Sequence, residues 1–166
     1  MARAKEGQLA AKDVDGQHPR SQKIVLYFGI GMGGGLLHPA RHQPVLGMGE
    51  KKTGERFFGD GGKAWLKGPH GDRVLTTRIT TDLREAILMT TTPALFQGAM
   101  RVAYDRLERE VKLARYGTDC YAYAMLASGH VDLVVECGLK AYDIVALIPV
   151  IEGAGGVITT WDGKPA

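Results

Sequence analysis

Cysteine is scarce in this chain of 166 residues: Cys120 and Cys137 are the only two, and neither belongs to a Cys-x-x-Cys pair. That usage argues against a disulfide framework and against a zinc site, and it fits a reducing cytoplasm. Long apolar runs are lacking as well. The opening stretch MARAKEGQLAAKDVDG has no signal-peptide core, and residues 24–37 are too short and too glycine-rich to cross a bilayer, so a soluble protein with no membrane role is expected. A basic stripe with interleaved aromatics is also missing. Lys and Arg are scattered among Asp and Glu at a net charge of +3, which argues against nucleic acid as a partner.

Several catalytic patterns are absent too. The five histidines have no metal-ligand spacing: His38 and His42 stand four apart, but Pro39 and Pro44 oppose the helix that would align them. Ser128 has no His/Asp set around it, so a serine nucleophile has little support. Gly29, Gly31 and Gly34 satisfy G-x-G-x-x-G after the strand-like KIVLYF, yet GLLHPARHQP cannot supply the helix whose N-terminus would face a pyrophosphate. A loop is the expectation there. No Gly-Lys-Ser/Thr follows, which excludes a P-loop.

What is present is the material of one α/β domain. The chain is 45% hydrophobic, enough for one core of ordinary size and too little for two domains. PVLGM and ERFFG are short strands, joined by the polar, glycine-containing GEKKTG of a hairpin, and GDGGKAW turns the chain again. Thr81 is placed to cap a short helix through DLREA, with AILMT following as a buried strand. In GAMRVAYDRLEREVKLA, Met100, Tyr104, Leu107 and Val111 share one helical face and Arg and Glu the other, as in a helix lying on a sheet. Thr118 is expected to cap a helix through CYAYAMLAS that Gly129 stops, and VDLVVEC reads as a strand. Asp143 opens a further helix bearing Ile144, Leu147, Ile148 and Ile151, which Pro149 is expected to bend. GAGG ends that helix, VITTW is a strand and DGKPA a turn. Two segments are therefore expected, a glycine- and proline-rich one over 1–43 without regular pattern and an α/β domain over 44–166.

Three acids stand at the joints of these elements. A carboxylate at a helix start, as at Asp143, is by itself most simply a cap. Glu136, however, closes a strand, and ligands of α/β sheets bind in the crevice at strand C-termini. Asp119 adjoins Gly117 and Thr118 at another strand-to-helix turn, where bare amides can meet an anion. Together they describe a polar pocket rather than a core.

Over these residues the chain resembles the inositol monophosphatase family of magnesium-dependent phosphatases. GTDCYAYAMLASGHVDLVVECGLKAYDIVALIPVIEGAGGVITTWDG matches that family's C-terminal signature, in which Trp/Tyr-Asp opens a helix and Ala-Gly-Gly precedes a strand. The match runs ungapped over 115–163, and GERFFGDGGKAW looks like the family's preceding hairpin. The resemblance implies a layered α/β sugar-phosphatase fold, incomplete in this chain. It also implies hydrolysis of a small-molecule phosphate monoester by a metal-activated water, with Mg2+ as cofactor because magnesium suits carboxylate and phosphate oxygens. By position, Asp143 is implied as a metal ligand, Gly117 and Thr118 as neighbours of the phosphate, and Glu136 as a contact for the substrate's polar groups. Asp119 stands where family members acting on inositol phosphates have a small neutral residue, and DCYAYA with VDLVVE and GLKAYD looks like the histidinol-phosphate phosphatase branch of histidine biosynthesis. Histidinol phosphate carries an ammonium and an imidazole, either of which a carboxylate beside the phosphate can pair. An inositol or broad sugar-phosphate phosphatase is the alternative, as is a catalytically impaired or non-catalytic binding relative; the bland account of Asp119 is a second helix cap beside Thr118.

The N-terminal half departs from the family's pattern. The loop Asp-Pro-x-Asp-Gly-Ser/Thr has only Val14, Asp15 and Gly16 in register within KDVDGQ; Lys12 stands for the first Asp, Asp13 for Pro and Gln17 for the hydroxyl residue. Asp15 is thus a second candidate ligand, and the family's upstream Glu element is missing. The expectation is a truncated or frame-disrupted member, whose uncovered helix faces led by Met100 and Ile144 would favour aggregation or a homodimer.

Overall fold

The computed structural model describes residues 27–28, 46–50, 53–60 and 62–166. Strands β2 (Leu46–Glu50), β3 (Glu55–Gly59), β4 (Ala64–Lys67) and β5 (Arg73–Val74) form an antiparallel sheet in that order. The hairpin expected from GEKKTG is there, with Glu50 opposite Glu55 and Leu46 opposite Gly59. At the next turn the Asp60 carboxylate accepts the amides of Gly62 and Lys63 at 2.9 and 2.8 Å, so GDGG reverses the chain through a side chain that mimics a backbone turn.

A second sheet is parallel. Strand β6 (Ile87–Thr90) lies between β7 (Leu113–Tyr116) and β8 (Leu133–Val134), both running in its direction. The strands are joined by α1 (Gly98–Glu110) and α2 (Cys120–Ala127), as parallel neighbours need crossover helices. Two short helices, α3 (Ala141–Ile144) and α4 (Ile148–Gly153), precede β9 (Thr159–Thr160), which pairs in parallel with β1 (Tyr27–Phe28).

The side-chain period of two along β6 and β8 sorts the layers. Leu88, Leu133 and Val135 face α1, packing with Phe96 and Tyr104 and with the half-buried Met100, Leu107 and Val111. Met89 and Val134 face the other way, onto Ala122, Tyr123 and Leu126 of α2 and Leu147 and Ile151. The opposite side of α2, Ala124 and Ala127, packs with Val150 against Phe57 and Leu66 of the antiparallel sheet and Leu75 just after it. The order is therefore α1, parallel sheet, α2 with α4, antiparallel sheet. Helix α2 is apolar all round because it is covered on both sides, and its small alanines admit a sheet at each face.

Several local expectations are corrected. Asp82, not Thr81, caps the segment through DLREA, accepting the Arg84 amide at 2.9 Å, and the segment is one 3-10 turn over Leu83–Glu85. The Thr118 hydroxyl does not cap α2; Asp119 is the boundary residue and neither side chain bonds the first turn. Lys140, not Asp143, begins α3, and Asp143 is three residues into it. Pro149 does not bend one long helix: it lies in the first turn of α4, where its fixed φ fits and no amide is needed, and α3 ends before it. VDLVVEC supplies only Leu133–Val134 to the ladder, plus single bonds from Asp132 N–H and Val135 N–H to Ile87 O and Met89 O. The Ile144 face is not uncovered either, since Ile144 is 3% exposed among Tyr123, Leu147 and Ile151, and Met100 is partly covered.

Candidate active site

All three strands of the parallel sheet point the same way, so their C-terminal ends open on one edge. The residues that follow them there are Thr91 after β6, Gly117 after β7, and Glu136 beyond β8. Thr91 is the residue that ties them together. Its amide donates to Glu136 Oε1 at 2.5 Å and its hydroxyl to the same oxygen at 2.8 Å. Its carbonyl accepts the Gly117 amide at 3.0 Å, and its Oγ1 is 3.5 Å from Asp119 Oδ1. Glu136 is 2% exposed. Burial pushes its carboxyl above the ordinary range and the nearby charge of Asp119 adds to that, while the two bonds from Thr91 act the other way. From behind, the Trp161 indole N–H donates to the Glu136 carbonyl at 2.9 Å, and Trp161 stands edge-on to Phe96, which stacks on Tyr104.

The turn from β7 into α2 is conformationally unusual. Gly117, Thr118 and Asp119 follow one another with φ of 82°, 72° and 41°. A β-branched threonine in the left-handed region is disfavoured by its Cβ, and such residues persist where the surroundings over-determine them, often at ligand sites. Thr118 and Asp119 are both exposed beside the strand ends.

Asp143 is exposed on α3 and accepts the Lys140 amide at 2.8 Å, the reach-back half of a capping box. The buried Tyr123 phenol relates it to the other acids: burial, then the charges of Glu136, Asp143 and Cys120, push its ionisation up. The structure thus brings Asp119 and Glu136 to one threonine, while the hydrogen bond found for Asp143 is to its own helix start. Asp15, the glycines at 29, 31 and 34 and the histidines at 38 and 42 lie outside the described residues. Among the described residues no three His, Cys, Asp or Glu side chains are grouped to hold a metal ion, so the donor set shown here does not make a metal centre.

Thr91 is the candidate site residue that sequence reasoning missed. Its only signal is the TTT run at the end of a buried strand, where hydroxyls replace apolar residues. Asp132 was missed as well. It is fully buried at the start of β8, paired with Arg78 at 2.6 Å, bonded by the Thr80 hydroxyl and by the Ile87 amide at 2.7 Å. It holds the other end of the sheet.

Compared with protein families, residues 35–166 match the inositol monophosphatase family. The chain belongs to that family. It is similar to a curated plant protein, the bifunctional phosphatase IMPL2, chloroplastic, of Arabidopsis thaliana, at 49% identity over 124 residues, which is 74% of this chain and 35% of that protein. It is also 26% identical over 95 residues to a histidinol-phosphatase of Chlorobaculum parvum, covering 57% of this chain and 37% of that one. The chain thus spans about a third of the length of these curated relatives. A solved inositol monophosphatase from Zymomonas mobilis superposes with a TM-score of 0.68 at 38% identity, over 75% of this chain and 49% of that one. Mycobacterium tuberculosis SuhB, at 24% identity and a TM-score of 0.52 over 62% of this chain and 43% of that one, shares the fold.

Proposed function

We propose that this chain carries the substrate-binding half of a phosphate monoester hydrolase, and that its substrate is histidinol phosphate. The observation that carries this reading is the pair of carboxylates at one crevice edge: exposed Asp119 beside buried Glu136, with Thr91 between them. Burial raises the Glu136 carboxyl and the charge of Asp119 adds to that, and a cationic substrate group would offset both. A leaving alcohol bearing an ammonium and an imidazole supplies such a group; a neutral polyol does not. Gly117 and Thr118, whose left-handed turn is exposed next to Asp119, are proposed to border the phosphate, and Glu136 to contact the substrate's polar groups. Histidinol-phosphatases in Chlorobaculum parvum and Streptomyces coelicolor are among the similar proteins, which supports the reading.

The family is metal-dependent in general, and magnesium is the metal proposed. Asp143 and Asp15 are the proposed ligands in this chain; other acids are needed with them, as the described residues alone do not form a centre. When bound, the metal would supply an activated water and neutralise phosphoryl charge. A cytoplasmic setting and a homodimer belong to the same proposal; the plant relative is chloroplastic by its name. Among the described residues no helix is long and apolar enough to cross a membrane.

Calorimetric titration of the chain and its Asp119→Asn variant with histidinol phosphate and with inositol monophosphate tests the substrate. Loss of one charge-assisted bond is expected to weaken histidinol phosphate by about 1.5–3 kcal/mol and to leave inositol phosphate nearly unchanged. Equal loss on both would refute the assignment of Asp119 to a substrate cation and favour the inositol or sugar-phosphate reading, for which the 38% identity to the Zymomonas mobilis enzyme speaks.

A further inference from the structure

We propose that Thr91 is a positioning residue of the substrate crevice: its amide and hydroxyl together fix one oxygen of Glu136, so that the other is presented to substrate in a single orientation. The inference rests on the reading that Glu136 contacts substrate, but its geometry stands on its own. Thr91 sits at the end of the central strand of its sheet and is bonded to both neighbouring strand ends, to Gly117 through its carbonyl and to Glu136 through its amide and hydroxyl. The main-chain bonds set where Thr91 is, and the hydroxyl adds direction.

That hydroxyl has one proton and two carboxylates within reach, Glu136 Oε1 at 2.8 Å and Asp119 Oδ1 at 3.5 Å. The shorter contact takes it, since hydrogen bonds weaken quickly beyond about 3.2 Å. Glu136 Oε1 is then saturated by two donors, and Asp119 is left without the Thr91 proton. Both donors favour the charged form of Glu136, against burial and against Asp119. The other titratable groups around Glu136 are Tyr123 of α2, whose phenol feels it, and its neighbour Cys137, whose thiol is pushed up mainly by burial and then by Glu136. Neither is positioned as a donor to Oε1. Serine at 91 keeps every one of these bonds, whereas valine keeps the amide and deletes the hydroxyl.

The chain labelled with carbon-13 at glutamate carboxyls and nitrogen-15 at amides provides the test. In the unmodified chain the Thr91 amide proton is expected to shift with pH at the same midpoint as the Glu136 carboxyl, which requires no variant to fold. Thr91→Val is expected to move the Glu136 midpoint upward and Thr91→Ser to restore it. Histidinol phosphate affinity is expected to fall about tenfold in Thr91→Val, within the range of a lost bond to a charged group, and inorganic phosphate affinity to stay as it was. A Thr91 amide that ignores the Glu136 titration, or a Glu136 midpoint unmoved in a folded Thr91→Val, overturns the proposal. The reading of Glu136 as a substrate contact fails separately: it fails if Glu136→Gln binds histidinol phosphate as the unmodified chain does, whatever the Thr91 titrations show.

Discussion

A carboxyl that is 2% exposed and raised by burial makes the fold pH-sensitive in a direction set by linkage. Between the ordinary glutamate value and the raised value in the folded chain, the native state binds a proton that the unfolded state has released. Stability from this group is therefore present below the ordinary value and is lost as pH rises through the raised one. Glu136→Gln keeps an oxygen for Thr91 and carries no charge. Without metal or substrate it is expected to be more stable at neutral pH by about 0.5–2 kcal/mol, the usual yield of relieving a functional compromise, with the gain shrinking toward pH 4. Urea midpoints of both proteins at two pH values check this; a constant difference would show that Glu136 ionises in the fold as freely as in water. Thr118 gives a second residue-scale prediction. It is exposed with φ of 72°, a conformation that asparagine tolerates better than a β-branched residue. Thr118→Asn is expected to raise stability by up to about 1 kcal/mol and to weaken phosphate binding, by thermal melting with and without phosphate.

Among the elements, α4 depends on two absent side chains. A Cβ built on Gly59 would come 2.1 Å from Pro149 O, and one on Gly153 would come 2.5 Å from Lys63 O, both backbone atoms that cannot rotate away. The first turn of α4 lies on β3 and its last turn on the entry to β4. Gly59→Ala is expected to cost at least about 2 kcal/mol by forcing these layers apart, whereas Gly138→Ala, with open space around its Cβ, tests only the φ of 74° and should cost less. Comparable urea midpoints for the two variants would show that the layers slide without penalty. The sheet end opposite the crevice has its own dependence. Asp132→Ala would leave Arg78 partly buried without its partner and orphan the Ile87 amide, a loss of about 3–5 kcal/mol. What was legible from sequence follows the same division. The hairpin at 46–59 and the amphipathic face of α1 are written in patterns only a few residues long, so alternation and period revealed them. Gly153 was legible as a helix end but not as a contact, and Pro149 was legible as a breaker but not as a first-turn residue, because each answer depends on which strand passes nearby. Asp119 and Glu136 could be suspected from their places after a strand or turn. Thr91 could not, because it matters only once β6 is known to lie between β7 and β8.

As a whole, the molecule has its two larger sheets sandwiching α2 and α4, with the three parallel strand ends opening beside the turn at Gly117–Asp119. The proposed substrate side of the crevice is thus built from described residues between 87 and 161, apart from the N-terminal acid proposed for the metal. Phosphoryl chemistry with divalent cations needs several carboxylates within a few ångströms. Among the described residues no such group is formed; Asp143 is engaged with Lys140 N–H, and in the family's N-terminal loop pattern Lys12 stands where an acid is expected. A lysine at a ligand position would add repulsion to the lost bond. The purified chain is therefore expected to bind histidinol phosphate but to release phosphate from it at well under about 1 per second at millimolar magnesium, the low end of ordinary enzymes. Its melting temperature is expected to rise with histidinol phosphate and to stay level with magnesium alone, since a ligand stabilises only the state that holds it. Phosphate release at about 1 per second or faster, or a magnesium-dependent rise in melting temperature that Asp15→Asn abolishes, would show that Asp143 and Asp15 find further acids in this chain and that it turns substrate over by itself.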